Sequence, residues 1–408
     1  MGQAAPMLYA TFMFSNFRLW WQKPQLHQPG DDNGKVTFLE LFYDLIFVVV
    51  ISRLAHRLAA HPSPQAFLDF VLLFIPVWWV WLSIAYYNER FETYDLSFRA
   101  FTFLQMLPVA GMAVTAEYGL SKTATGFALS YAAARVLITF MWWRAGRHNP
   151  QVRPVTDVYV RGFALSIVLW VVAAFLVGPL AYALKAAGLL IELLTPILTL
   201  QAQREVFRAR VRKLPERFGL FVIIVLGETL VGVLNGLADL DGLNLAVVWR
   251  FILGFTLGFG LWWVWFDYLG RREPDSLDRW GFLRWTYGHL PLVIGITVIG
   301  AMVEHGVALE EDLNLAAVRW LMAGGFALFY LACAVIETGL EPEKPPMIPP
   351  RLLIALRLGT AAVALLLPLL ALPLTGLMAV LIGLHLLHAG LGVRAWFASS
   401  NAGRVDVH

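Results

Sequence analysis

Residues Thr37 to Ile51, TFLELFYDLIFVVVI, set two carboxylates, Glu40 and Asp44, four positions apart inside an apolar run long enough to cross a bilayer. At 3.6 residues per turn the two share one helix face. An acid at the bilayer centre costs about 2.5–3.5 kcal/mol on insertion scales, so a spanning helix that keeps two must turn them toward protein or water. That face is the first place to look for function.

The rest of the chain has the same apolar character. Of its 408 residues 59% are hydrophobic and 14% charged, and the mean hydropathy is +0.66, values foreign to a soluble domain of this length. The apolar stretches run to about 20 residues and recur throughout, which fits spanning helices and not the short alternating strands of a barrel. An all-α polytopic membrane protein follows. Cys333 is the single cysteine, so an internal disulfide and a cysteine-based metal cluster are excluded; it reads as core filler. The net charge of +3 comes from basic residues in short loops, where insertion topology accounts for them. No nucleic-acid partner is implied; the lipid bilayer is the expected one.

Twelve spans can be placed, at 37–58, 66–87, 99–117, 123–143, 160–179, 180–200, 217–237, 246–268, 284–304, 316–337, 352–373 and 376–396. Gly178 and Pro179 leave almost no loop between the fifth and the sixth. Nothing before Lys35 has the form of a cleavable signal, and the first twelve residues read as a start-site extension ahead of Met13. Trp20 and Trp21 read as interface anchors.

Lys and Arg set the orientation. Arg144, Arg147 and Arg153 follow span four; Arg204, Arg208, Arg210, Arg212 and Lys213 follow span six; Arg271, Arg272, Arg279 and Arg284 follow or abut span eight. Alternate loops carry Asp239 and Asp241, then Glu310, Glu311 and Asp312. The basic loops are expected in the cytoplasm, with both termini beside them. Arg53 and Arg57, at the outer end of span one, are the exception, and either snorkel to that interface or serve a site.

The second half repeats the first. Trp78-Trp79-Val80-Trp81 returns as Trp262-Trp263-Val264-Trp265, Leu107-Pro108 as Leu290-Pro291, and Gly126-Phe127-Ala128-Leu129 with Tyr131 as Gly325-Phe326-Ala327-Leu328 with Tyr330. Three matches in the same order argue for a duplicated six-helix unit, its halves parallel because six is even. The expected organisation is a cytoplasmic segment (1–35), a first repeat (36–200), a basic cytoplasmic linker (201–216), a second repeat (217–397) and a cytoplasmic tail (398–408). Sites in such folds tend to lie near the membrane midplane at the repeat interface.

Span seven, the counterpart of span one, carries Glu228 about eleven residues into its helix, near the midplane. Arg135 in span four and Glu192 in span six are the other charges far from an interface. One arginine among four acids implies at least one ion pair. Two readings remain: a structural bridge from Arg135 to a carboxylate, or acids that titrate, since burial raises a carboxyl pKa and a neighbouring arginine lowers it.

His289 precedes Leu290-Pro291, Glu304-His305 closes the other end of the same span, and His385 and His388 share a face of span twelve. No HExxH and no cysteine ligand accompany them, so a packed pair is expected and no metal. Gly254, Gly258 and Gly260 allow close helix approach. The tryptophan clusters sit where an indole ring can anchor at the headgroup level or line a cavity, and anchoring is the favoured reading. No Walker loop, GxSxG elbow or dinucleotide fingerprint occurs, so neither a cofactor nor a catalytic residue is assigned and ATP-driven transport is disfavoured.

The chain resembles the bacterial low temperature requirement A (LtrA) family of multipass membrane proteins. The resemblance rests on Val36-Thr37-Phe38-Leu39-Glu40-Leu41-Phe42-Tyr43-Asp44-Leu45-Ile46-Phe47-Val48, on Glu216-Arg217-Phe218-Gly219-Leu220-Phe221 with Leu226-Gly227-Glu228, and on Gly288-His289-Leu290-Pro291, and covers the chain after residue 18. Tyr43, where the family usually has Phe, is a mild departure. The resemblance implies an inner-membrane protein linked to growth in the cold, without a settled activity. Phe42-Tyr43-Asp44 is also partly similar to the first-helix motif of duplicated six-helix cation channels of endosomes and lysosomes.

The leading expectation is a secondary transporter or ion-coupled permease for an unknown small molecule, ion or lipid. Glu40, Asp44 and Glu228 would be its coupling or substrate-contacting acids, Arg135 their counter-charge, and Glu192 and His289 further candidates. The alternatives are a cation channel, a membrane enzyme or assembly factor acting on lipid or cell-envelope precursors, and a scaffold whose charges are structural. A homo-oligomer is compatible with each.

Overall fold

The computed structural model describes residues 22–26, 36–92, 96–207, 213–238, 245–270, 272–275, 278, 280–308, 315–342 and 348–401. Trp20, Trp21, Arg208, Arg210, Arg212, Asp239, Asp241, Arg271, Arg279, Glu310, Glu311 and Asp312, which bear on anchoring and orientation, lie outside the described residues. Among the described residues the regular structure is helical apart from a two-residue pairing of β1 (Gln25–Leu26) with β2 (Phe91–Glu92) and an isolated bridge between Pro274 and Leu340.

The long helices are α1 (Phe38–Ala60), α2 (Pro64–Arg90), α3 (Leu96–Thr115), α4 (Ala124–His148), α5 (Arg153–Ala174) and α6 (Pro179–Leu198), then, after a short α7 (Leu200–Val206), α8 (Lys213–Ala238), α9 (Leu245–Tyr268), α10 (Gly281–Ala308), α11 (Leu315–Glu337), α12 (Pro350–Leu366) and α13 (Leu374–Asn401). Among the described residues eleven helices are long and apolar enough to cross a membrane. This makes the chain an all-α multipass membrane protein. The first of the twelve expected spans falls outside that set: α1 has the length, 23 residues, but Glu40, Asp44, Arg53 and Arg57 dilute its apolar surface. Gly178, with φ 78°, supplies the left-handed turn that lets α6 start directly at Pro179. Prolines stand inside α2 (Pro76), α3 (Pro108), α6 (Pro196) and α10 (Pro291), each removing one intrahelical hydrogen bond.

By contact the chain forms two compact units, Met1–Val50 with Pro76–Leu214, and Ile51–Ile75 with Pro215–His408. In the first, α4 packs on α3 and α5, and α5 on α6. An aromatic seam joins Tyr87, Trp142 and Tyr159, with ring centroids 5.7 and 4.5 Å apart. The Glu89 carboxylate accepts the backbone N–H groups of Lys213 (3.0 Å) and Leu214 (2.9 Å), satisfying orphan donors at the start of α8. Trp78, Trp79 and Trp81 are packed inside protein, at most 2% exposed. That corrects the expectation of headgroup anchoring for the first cluster; in the second, Trp265 is buried while Trp262 keeps 39% exposure.

In the second unit α11 lies against α10 and α12, and α9 against α10 and α13. The α10–α11 contact is backbone on backbone: a β-carbon at Gly295 would come within 2.6 Å of the Gly325 carbonyl oxygen, the close approach that small residues permit. A polar core fills the space around α13. Tyr330 Oη is 2.8 Å from His385 Nδ1, Thr360 Oγ1 is 2.9 Å from His388 Nε2, and the Tyr268 hydroxyl donates to the His388 carbonyl at 2.5 Å. His385 and His388 are both buried, and Gly260 makes room for the His385 ring. Glu337 pairs with Arg357 (3.0 Å) and Arg272 (2.6 Å).

Candidate functional site

The candidates in the first unit divide by partner. Glu40 closes a capping box with Thr37: the Thr37 N–H and hydroxyl donate to Glu40 Oε2 at 2.9 and 3.0 Å, and the Glu40 N–H donates to Thr37 Oγ1 at 3.2 Å. This satisfies two donors that the start of α1 would otherwise leave orphaned. Asp44, one turn on, is fully buried and accepts the Trp81 indole N–H at 3.0 Å. The two acids share a face yet bond different neighbours, Thr37 of the same helix start for one and Trp81 of α2 for the other.

Arg135 pairs with Glu192, Nε to Oε2 at 2.9 Å, both fully buried. The Nε–H is not aligned on the oxygen, so the contact acts through charge. Tyr131 donates to the same Oε2 at 2.6 Å, Arg135 Nη1 donates to Ser83 Oγ at 2.6 Å, and the guanidinium lies 4.2 Å from the centre of the Phe163 ring. A buried pair furnished this way neutralises itself and ties α2, α4, α5 and α6 together. Glu192 is thus the carboxylate that the geometry gives Arg135.

In the second unit Glu228 opens on a cleft. It sits on α8 at 7% exposure, near the Ser52 hydroxyl of α1, and His56 Nε2 stands 3.9 Å from its Oε1. The other nitrogen, Nδ1, is 2.6 Å from Glu304 Oε1 on α10. Ser52, His56 and Ala59 recur at helical spacing along one side of α1; the next residue of α10, His305, bonds the Ala59 carbonyl through Nδ1 at 2.7 Å. Two adjacent residues of α10 therefore hold the end of α1. The cleft itself is lined by Glu228 and Glu304 with Ala55, Val225, Thr229, Thr297, Gly300 and Ala301, and leaves about 10 Å³ for the centre of a guest, room for one water.

Glycine makes this crossing possible. A β-carbon at Gly300 would lie 3.0 Å from Thr229 Cα, and one at Gly232 would lie 2.9 Å from Glu304 Oε2. His289 takes no part in it. It precedes Glu304 by fifteen residues on α10, about 22 Å along the axis; its Nδ1–H donates to the Trp285 carbonyl at 2.7 Å and its ring is caged by Phe218, Trp265 and Trp285. Among the described residues no group of three or more His, Cys, Asp and Glu could hold a metal ion. The His56 geometry says why for this cluster: each ring nitrogen faces a different carboxylate.

Sequence reasoning does not single out His56, and it leaves Glu304 without a role. Their signal lies in the polar residues at the end of span one, where Ser52, Arg53, His56 and Arg57 follow an apolar run. Arg57 itself pairs with Asp69 at 3.6 Å.

The family described as bacterial low temperature requirement A protein (LtrA) matches residues 35–394. An uncharacterized protein of Rhizobium meliloti (strain 1021) is 25% identical over 342 residues, which cover 80% of each chain. No solved structure matches the chain significantly.

Proposed function

Since the chain belongs to the bacterial low temperature requirement A family, we propose that it is an ion-coupled secondary transporter of the bacterial inner membrane, with Glu228 as its coupling acid. The observation that carries this reading is the Glu228 cleft: an acid in a spanning helix, beside a histidine and a second carboxylate, with room for one water. An intramembrane ionisable group kept at such a place marks an ion path more often than a packing device.

The duplicated architecture, parallel halves and cytoplasmic termini belong to the same proposal. Besides the sequence matches, one structural parallel supports the duplication. Tyr131 on the fourth long helix bonds Glu192 on the sixth, and Tyr330 on the tenth bonds His385 on the twelfth.

The test uses the full chain in proteoliposomes under an imposed pH gradient and membrane potential, offered a panel of radiolabelled amino acids, organic acids and monovalent cations. Gradient-driven uptake of at least one solute is expected in the wild type and its loss in Glu228→Gln, which keeps shape and removes the exchangeable charge. Absence of uptake across the panel, or equal uptake in the variant, overturns the reading. Conductive flux without coupling would point to a channel.

A further inference from the structure

We propose that His56 carries protons between Glu304 and Glu228, which makes the proton the coupling ion. Its physiological use rests on the proposed transport function; its chemistry stands on the geometry alone.

An imidazole can accept a proton on one nitrogen while releasing one from the other, and its ordinary pKa lies near neutrality. His56 presents both nitrogens to acids, Nδ1 at 2.6 Å from Glu304 and Nε2 at 3.9 Å from Glu228. The central ring is the most accessible of the three, 37% for His56 against 15% for Glu304 and 7% for Glu228. Glu228 is thus the more buried terminus of the pair that the ring joins. The 3.9 Å gap exceeds a hydrogen bond, so the transfer needs a small approach of the His56 ring to Glu228 or a bridging water; the water-sized cleft beside it is lined by the two carboxylates, Glu228 and Glu304. The charged groups on the neighbouring elements have their own contacts: Arg57 of α1 with Asp69 of α2, His305 of α10 with the Ala59 carbonyl, and Arg250 of α9 with the Gly306 carbonyl at 3.3 Å.

The step balances without a co-reactant. With the ring neutral, Nδ1–H donates to Glu304 and Nε2 offers a lone pair. Protonated Glu228 breaks its O–H bond and Nε2 gains an N–H bond, giving an imidazolium. Nδ1 then releases its proton to the Glu304 carboxylate. Glu228 has lost one proton, Glu304 has gained one, and the ring is neutral again with its proton on Nε2; the reverse sequence loads Glu228.

The test follows the protonated-carboxyl stretch by infrared difference spectroscopy after a pH jump, in H₂O and D₂O, on the full chain in vesicles of phosphatidylethanolamine and phosphatidylglycerol. A deuterium-sensitive carboxyl band that disappears in Glu228→Gln is expected. In His56→Gln the band should remain but form about 100-fold more slowly, the scale of a lost acid–base group, and added imidazole should restore its rate. A band indifferent to Glu228→Gln, an unchanged rate in His56→Gln, or a band that follows Na⁺ at constant pH overturns the proposal. Should His56→Gln fail to fold, ¹⁵N-histidine NMR of the wild type decides: the His56 proton must change nitrogen as pH varies, and a fixed tautomer overturns the relay. A relay without solute flux would leave the proton chemistry standing and remove the transporter; flux without His56 dependence would do the opposite.

Discussion

Gly232 of α8 faces the carboxylate of Glu304 on α10 so closely that a β-carbon at 232 would lie 2.9 Å from Oε2. The atom it would strike is the free end of a flexible side chain, so Gly232→Ala is expected to fold while displacing Glu304 from His56. Gly300→Ala meets the backbone of Thr229 instead, at 3.0 Å from Cα, and should cost about 1–3 kcal/mol by overpacking. Thermal unfolding in detergent should separate the two, with Gly232→Ala near the wild-type Tm and Gly300→Ala well below it. The opposite order would mean that the crossing is looser than its geometry.

Arg135→Ala strands the Glu192 carboxylate in the core and should cost about 3–5 kcal/mol, enough to deplete folded protein. Joining Arg135→Met with Glu192→Leu removes both charges and is expected to restore most of the loss. The yield of monodisperse protein on size exclusion measures both; a double variant as poor as the single one would assign the pair a role beyond neutrality.

Thr37→Ala and Glu40→Ala should each lower stability by about 1 kcal/mol through the lost cap. Glu40→Gln, which can close the same box, should lose little and leave gradient-driven uptake intact. Abolished uptake in a folded Glu40→Gln protein would return Glu40 to the transport machinery.

The loop before α10 gives a pH dependence of known sign. The Trp280 backbone N–H and the Arg284 guanidinium hold the Asp278 carboxyl below the usual carboxylate range. Its contribution is therefore present above the unfolded-chain value of about 3.9 and is lost as pH falls through the lower folded value. Asp278→Asn should be less stable than wild type near neutrality and indistinguishable from it in strong acid, read by unfolding curves across that range.

Sequence carries the architecture further than the site. Helical runs of about twenty apolar residues announce themselves, and so does the loopless junction at Gly178-Pro179. The pairing of Arg135 with Glu192 is available as one of several matches for a lone arginine, although composition alone cannot choose among the acids. The capping box is legible as Thr-x-x-Glu ahead of an apolar run, yet two acids on one apolar helix face draw a functional reading that hides it. His56 stays hidden for a physical reason: its partners lie on α8 and α10, far along the chain, and contacts made between helices leave no local periodicity.

The charges of α1 bear on how the chain enters the membrane. Each charge left at mid-bilayer would oppose partition by about 2.5–3.5 kcal/mol, so α1 alone makes a poor stop for a translocon. Its neighbour α2 is apolar enough to cross by itself and brings what α1 lacks, Trp81 for Asp44 and Asp69 for Arg57. An α1 that enters the membrane is therefore expected to do so paired with α2, not ahead of it.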